Sequence, residues 1–194
     1  MSSRPRLLPA LALALLITIG CGGEPPDKEL QQAEGALAAA LTAGADKYAA
    51  DEYAAAKASL TNAREAVTQR DYRLALDRAL DSREHAQIAA KQAADGKAAA
   101  RTAAERALTS AQADFDAVET KLKAAESVRA AARLLIGPRA TLDTARNALQ
   151  EARATFDRGD YLEVPGKARS ATASLPGVSE AIETATAPAA RRRR

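Results

Sequence analysis

Large aromatic and reactive side chains are scarce in this sequence. Its 194 residues include no Trp, two Phe, four Tyr, one Cys and one His. A globular core built around many bulky side chains is therefore not expected. A zinc site needs about four ligands, and the single histidine, His85, has no second histidine to join it. Glycines do not form a phosphate-binding loop but are scattered as turn residues.

Carboxylates do not form a recognisable acid–base pair either. Asp114 and Asp116 lie on different sides of a helix, and Glu180 and Glu183 share a face near the end of the chain. Glycosidase chemistry also needs a cleft between its two carboxylates, and this composition offers little material to build one. We therefore predict no catalytic residue, no metal site and no cofactor, and we expect the protein not to be an enzyme.

Alanine is what the sequence has in abundance, at about a quarter of all residues. Alanine is the best helix former because it loses no side-chain entropy in a helix. It also buries little apolar area, so helices must approach closely to form a seam. This composition predicts an all-α fold, an elongated coiled-coil-like bundle of alanine-rich helical hairpins.

Charge is nearly balanced outside the two ends of the chain. The whole sequence carries a formal charge of +3, to which the N-terminal arginines and the Arg191–Arg194 run contribute most. The remaining charges alternate in sign, as on solvated helix faces. We therefore predict no nucleic-acid partner. The arginine run either attracts an anionic surface or is a solubilising end.

The N-terminal segment has the features of a secretory signal. Arg4 and Arg6 precede an apolar stretch, residues 7–19, that is too short to span a membrane. The Thr-Ile-Gly-Cys sequence that ends at Cys21, the only cysteine, resembles the bacterial lipobox. That resemblance implies a diacylglyceryl group on the Cys21 sulfur and cleavage after Gly20. The alternative is an ordinary cleaved signal with an incidental cysteine.

The remaining chain divides at glycines and prolines. We assign residues 1–20 to the signal peptide, 21–26 to a tether, 27–183 to a helical bundle and 184–194 to a disordered basic tail. Within the bundle, Gly44 is expected to end a first helix and Asp51 to cap a second.

A long central helix is predicted from Tyr72 to about Ile136, where Gly137 and Pro138 follow. Its only glycine is Gly96, which we expect to be a soft point. Heptad spacing of large apolar residues predicts the packed face of its second half. These residues are Leu108, Phe115, Val118 and Leu122.

An internal repeat appears at a shift of 89 residues, with copies at about 51–95 and 138–175. Its most specific match is Asp71-Tyr72 with Asp160-Tyr161. Each copy predicts a helix, a tight turn capped by the Asp, and a Tyr that begins the returning helix and covers the hairpin end. We interpret these four residues as structural turn residues.

The turn with its Tyr and following alanines weakly resembles the inter-helix turn of tetratricopeptide repeats. Residues 35–95, with Tyr48-Ala-Ala-Asp-Glu-Tyr53 and Arg70-Asp-Tyr72, more closely resemble a family of alanine-rich bacterial lipoproteins catalogued as a domain of unknown function. This resemblance implies a protein of the cell envelope and implies no reaction.

These observations predict a lipid-anchored, non-enzymatic spacer, scaffold or adaptor of the bacterial cell envelope. Gly22 follows Cys21, and the absence of Asp at that place favours the periplasmic leaflet of the outer membrane. The expected partners are the membrane, through Cys21, and an envelope protein or peptidoglycan. The alternative is a binding module in which the hairpins form a groove for a peptide or an envelope protein. An exposed apolar groove would favour the binding module, and a closed alanine seam would favour the spacer.

Overall fold

Helices make up almost the whole of the computed structural model, which describes residues 23–128, 130 and 132–191. The described part of the chain contains no strand, and the predicted all-α class is confirmed. The α-helices are α1 (Asp27–Thr42), α2 (Ala45–Tyr48), α3 (Ala50–Thr68), α4 (Tyr72–Ser127), α5 (Ile136–Asp157), α6 (Val164–Thr172) and α7 (Leu175–Arg191). A 3₁₀ helix, Ala132–Leu135, leads into α5.

Helix α4 has 56 residues, about 84 Å at 1.5 Å per residue, and it joins two bundles. Its N-terminal half packs with α1, α2 and α3 around one buried cluster. Its C-terminal half packs with α5, α6 and α7 around a second cluster. The last helix of the first bundle is therefore also the first helix of the second.

Close helix contacts in the first bundle are made by alanine. Its core contains eight alanines and only two larger side chains, Leu37 and Leu60. Ala33, Ala56 and Ala89 are each 0% exposed, so these seams are closed to solvent. The second bundle buries larger side chains, including Phe115, and is the better-packed half by apolar volume.

The buried stripe of α4 changes its spacing between the two bundles. Steps of three and four residues run from Ala75 to Ala93 and again from Ala111 to Ala125. Between them, the buried positions Ala93 and Ala104 are eleven residues apart. A step of seven residues falls short of two full turns and shifts the buried stripe by about 20° around the helix. A step of eleven residues slightly exceeds three full turns, so it shifts the stripe back by a similar angle. The stripe therefore faces one side of a straight helix along its whole length.

The internal repeat is a repeat of structure as well as of sequence. Ten buried positions of α3 and α4 each meet a buried position of α5, α6 or α7 at the same 89-residue shift. The first set is Ala56, Leu60, Ala63, Ala66, Ala75, Ala79, Ser82, Ala86, Ala89 and Ala93; the second is Ala145, Leu149, Ala152, Thr155, Val164, Ala168, Ala171, Leu175, Val178 and Ile182. The two bundles are thus related copies that share α4.

Three prolines of the second bundle lie where helices begin. Pro138 lies in the first turn of α5, Pro165 in that of α6 and Pro176 in that of α7. A proline in a first turn removes an N–H that has no partner within the helix. The prediction that Gly137 and Pro138 end the central helix was therefore wrong: α4 already ends at Ser127.

Two further predictions differ from the structure. Asp51 does not cap α3, because the helix begins one residue earlier and Ala49 is its N-cap. The predicted disordered tail is helical as far as Arg191, and Ala185 is buried against the second core. Residues 192–194 and the predicted signal and lipidation residues lie outside the described part. None of the helices described has both the length and the apolar character that a membrane span requires.

Candidate functional site

The first hairpin turn, between α3 and α4, is closed by backbone and side-chain hydrogen bonds. Arg70 has a φ of 60°, in the left-handed region. The Arg70 N–H donates to the Val67 carbonyl and the Asp71 N–H to the Ala66 carbonyl, both at 2.9 Å. This pattern satisfies the last carbonyls of α3. Asp71 Oδ1 then accepts from the Leu74 N–H at 3.0 Å, which makes Asp71 the N-cap of α4.

The second turn, between α5 and α6, repeats the first at its start. Gly159 has a φ of 86° and occupies the place of Arg70. The Gly159 N–H donates to the Phe156 carbonyl at 2.9 Å and the Asp160 N–H to the Thr155 carbonyl at 3.2 Å. After Asp160, however, the chain makes one more turn and α6 begins only at Val164, without a side-chain cap. The predicted capping role of Asp160 is therefore wrong.

The two turn tyrosines lie in different surroundings. Tyr72 begins α4 and is half-buried, not the largely buried plug that the sequence suggested. Tyr161 is half-buried too, and its ring centre is 5.1 Å from that of Phe156 in a tilted arrangement. The shared Asp-Tyr sequence therefore supports one type of turn but two local packings.

Beside each turn there is a shallow groove between the paired helices. The groove of the first hairpin is lined by residues that include Asn62, Leu74 and Arg78. Their repeat equivalents, Glu151, Glu163 and Lys167, line the groove of the second. In the second groove Lys167 Nζ lies 2.6 Å from Glu151 Oε1. Both grooves are open, and each is lined by apolar as well as polar side chains; exposed Leu162 lies in the second.

Ion pairs tie the elements of the second bundle together. Glu119 bonds Arg146 across α4 and α5, at 2.9 Å, and Glu183 bonds Lys121 across α4 and α7, at 2.7 Å. The hydrogen bonds from Lys123 and Arg146 hold the pKa of Glu119 below its usual value. Those from Lys167 and Lys121 do the same for the pKa values of Glu151 and Glu183 respectively. Hydrogen bonding to the charged form favours ionisation.

His85 takes part in a helix–helix contact. Its Nδ1 lies 2.8 Å from Glu52 Oε2 of α3, and both side chains are partly exposed. Across the described residues, no group of three or more His, Cys, Asp or Glu side chains is placed to hold a metal ion.

Cys21 and Gly20, the predicted lipidation and cleavage residues, lie outside the described residues, so the structure brings no side chain to them. Cys21 precedes the first residue of α1, Asp27, by six positions.

The sequence interpretation missed two exposed apolar residues beside the second bundle. Leu134 and Ile136 are 54% and 62% exposed. Their position in the run Arg133-Leu-Leu-Ile136, directly before Gly137-Pro138, was the available signal, because a turn cannot bury three successive large residues.

Comparison of the chain with protein family models, curated proteins and solved structures gave no match.

Proposed function

We propose that the chain is a lipid-anchored, non-enzymatic spacer or scaffold of the bacterial cell envelope, held on the periplasmic face of the outer membrane through Cys21. Two observations support the proposal. The lipobox-like sequence lies just before the folded body, and two bundles are placed end to end along one continuous helix.

The closed alanine seam is the observation that carries the spacer role. In the first bundle the facing alanines of α1, α3 and α4 are buried against one another. Alanine seams let helix axes approach closely, which favours a stiff rod with few bulky side chains. A stiff rod on a short tether holds its far end at a defined distance from the membrane.

The anchor is tested by metabolic labelling with a fatty-acid probe. We expect label on the wild-type protein and none on Cys21→Ala, which would also accumulate with its signal uncleaved. Equal labelling of the two proteins would refute the anchor.

The spacer role is tested separately, by complementation of a strain that lacks the protein. A proline in the exposed middle of α4, Ala99→Pro, should abolish complementation because it bends the rod. Ala99→Gly is the matched control and should complement.

The alternative binding module predicts a different pattern. Charge reversal in the two hairpin grooves, Arg78→Glu with Lys167→Glu, would abolish complementation if the grooves bind a partner. A spacer should tolerate that change as well as it tolerates Arg73→Glu, an exposed position at the start of α4. Loss of complementation in the groove variant alone would favour the binding module.

A further inference from the structure

The first helix of each bundle shows that the repeated unit is larger than one hairpin. Three buried residues of α1 each meet a buried residue of α4 at a shift of 78 residues; the pairs are Ala33 with Ala111, Leu37 with Phe115, and Ala40 with Val118. In the first bundle Arg64 of α3 donates to Glu34 of α1 at 2.7 Å. Its repeat equivalent, Arg153, donates to Gln112, the equivalent of Glu34, at 2.5 Å. Each bundle is therefore one copy of a complete unit.

Contacts of the first helix measure the step from one unit to the next. Arg83 of α4 donates to Gln32 of α1 at 2.6 Å, so these two residues lie at one level. The equivalent of Gln32 in the second unit is Ser110, which lies 27 residues after Arg83 on the same helix. At 1.5 Å per residue the step between the units is about 40 Å.

Contacts of the last helix give the same step independently. Lys121 of α4 bonds both Ser179 and Glu183 of α7 at 2.7 Å. The equivalents of these two residues in the first unit are Ala90 and Ala94, which precede Lys121 on α4 by 31 and 27 residues. The step measured here is about 40 to 47 Å. Both ends of the unit are therefore displaced together along α4.

A short stretch of α4, residues 97–103, separates the two units, and we call it the connector. Six of its seven residues are exposed, and Ala100 is partly buried. Across the described residues, each ion pair or side-chain hydrogen bond between two different helices lies within one unit. The two buried clusters are separate as well. Rotation of the second unit about α4 would therefore break none of these contacts.

We propose that the chain works as a ruler: the length of α4 fixes the distance from the membrane to the far bundle, and the rotation of that bundle about α4 has no role. This proposal rests on the spacer function proposed above. A continuous helix has a fixed rise per residue, so the connector sets a defined distance. The separate cores and the contacts confined to each unit support the second part, because neither unit completes a surface of the other.

Two insertions between the exposed residues Ala98 and Ala99 separate distance from rotation. Eleven helix-forming residues (Ala, Glu and Lys) lengthen α4 by about 16 Å and rotate the second unit by only about 20°. Two alanines lengthen it by about 3 Å but rotate the second unit by about 160°. In a strain that lacks the protein, we expect the two-alanine variant to complement and the eleven-residue variant to fail.

Small-angle scattering shows whether each insertion has the intended effect on shape. The protein used is residues 23–194, which include every helix described. The maximum dimension should increase by about 16 Å for eleven residues and by about 3 Å for two, with helical circular dichroism kept in both. A seven-residue insertion, about 10 Å with a rotation of about 20° in the opposite sense, is a second test of length. It should fail to complement too.

Three patterns of complementation would overturn the ruler. Failure of the two-alanine variant, alone or with the longer ones, would mean that the orientation of the two units matters. Complementation by all insertions would mean that the distance is not used. The spacer function fails by a different result, which is complementation by Ala99→Pro. If Ala99→Pro fails to complement but the eleven-residue variant succeeds, the spacer stands and the ruler does not.

Discussion

Arg70 and Gly159 occupy the same left-handed position in the two hairpin turns, with φ of 60° and 86°. A residue with a side chain is destabilised by about 1–2 kcal/mol in that conformation. Glycine avoids this cost, but its greater conformational freedom in the unfolded chain offsets about 0.4–1 kcal/mol of the gain. We expect Arg70→Gly to raise the free energy of unfolding by about 0.5–1 kcal/mol, measured by urea denaturation.

Gly159→Ala is the reciprocal variant. A Cβ at Gly159 would meet nothing within 4 Å, so the change isolates the backbone effect. It should lower the free energy of unfolding by about 1 kcal/mol. If both variants shifted stability in the same direction, the two turns would not share one conformation in solution.

Gly96 corrects an expectation drawn from helix propensity. Propensity alone predicts that Gly96→Ala stabilises the helix by about 1 kcal/mol. In the structure, a Cβ at Gly96 would lie 3.0 Å from the Tyr48 carbonyl oxygen and 3.2 Å from Tyr48 Cβ. The end of α2 therefore packs on bare α4 backbone, and an added methyl group must push it away.

We expect Gly96→Ala to lower the free energy of unfolding by about 1 kcal/mol or more, because overpacking outweighs propensity. Gly35→Ala is the matched control: it lies inside α1, and its added Cβ would meet nothing within 4 Å. Thermal melts should therefore shift down for the first and up for the second. An upward shift for both would show that α2 moves aside freely.

At the scale of elements, the three carboxyl groups with lowered pKa values all lie in the second bundle. Glu119 joins α4 to α5, Glu151 joins α5 to α6, and Glu183 joins α7 to α4. Their usual pKa is 4.5, and the folded values lie below it. The unfolded chain therefore binds more protons in that range, and stability falls as the pH drops from 4.5 through the lowered values.

We expect the urea midpoint to be constant above that pH and to decrease below it. The triple variant with Glu119, Glu151 and Glu183 replaced by Gln should show a weaker decrease, and a smaller effect of added salt. These pairs are exposed, so each contributes modestly. An identical acid slope for the two proteins would mean that other carboxylates control the response.

The sequence predicted those elements whose signals are local. Heptad spacing predicted Leu108, Phe115, Val118 and Leu122 as the packed face of α4; the last three are buried, whereas Leu108 is only partly buried. The repeat of Asp71-Tyr72 at Asp160-Tyr161 identified both hairpins, because turn chemistry depends on a few neighbouring residues. These features need no knowledge of the rest of the fold.

Other features depend on contacts between distant residues and could not be predicted locally. Helix α4 ends at Ser127, before a run of alanines that favours helix, and the buried Ala130 and Leu135 then pack into the second core. The close approach of Gly96 requires the position of Tyr48, on another helix.

At the scale of the whole molecule, the two bundles share α4, and neither buried cluster extends along the middle of that helix. Helix α4 alone spans about 84 Å, whereas a compact domain of this size would measure roughly 50 Å. Small-angle scattering should therefore give a maximum dimension well above that of a compact domain. A value near 50 Å would mean that α4 folds back on itself in solution.

The shared helix should also make the two bundles unfold together. Ala99 lies between the two buried clusters and is exposed, so a substitution there removes no core contact. Ala99→Pro removes a backbone hydrogen bond and clashes with the carbonyl four residues earlier, at a cost of about 3 kcal/mol or more. It interrupts α4, the one helix among the described residues that belongs to both bundles. We expect the single unfolding transition of the wild type to separate into two, with the alanine-seamed first bundle melting at the lower temperature because its core buries less apolar area.

Ala99→Gly, which costs about 1 kcal/mol but leaves the hydrogen bonds in place, should keep one transition. Calorimetry distinguishes these outcomes, and a single transition in Ala99→Pro would mean that coupling between the bundles passes through contacts outside α4.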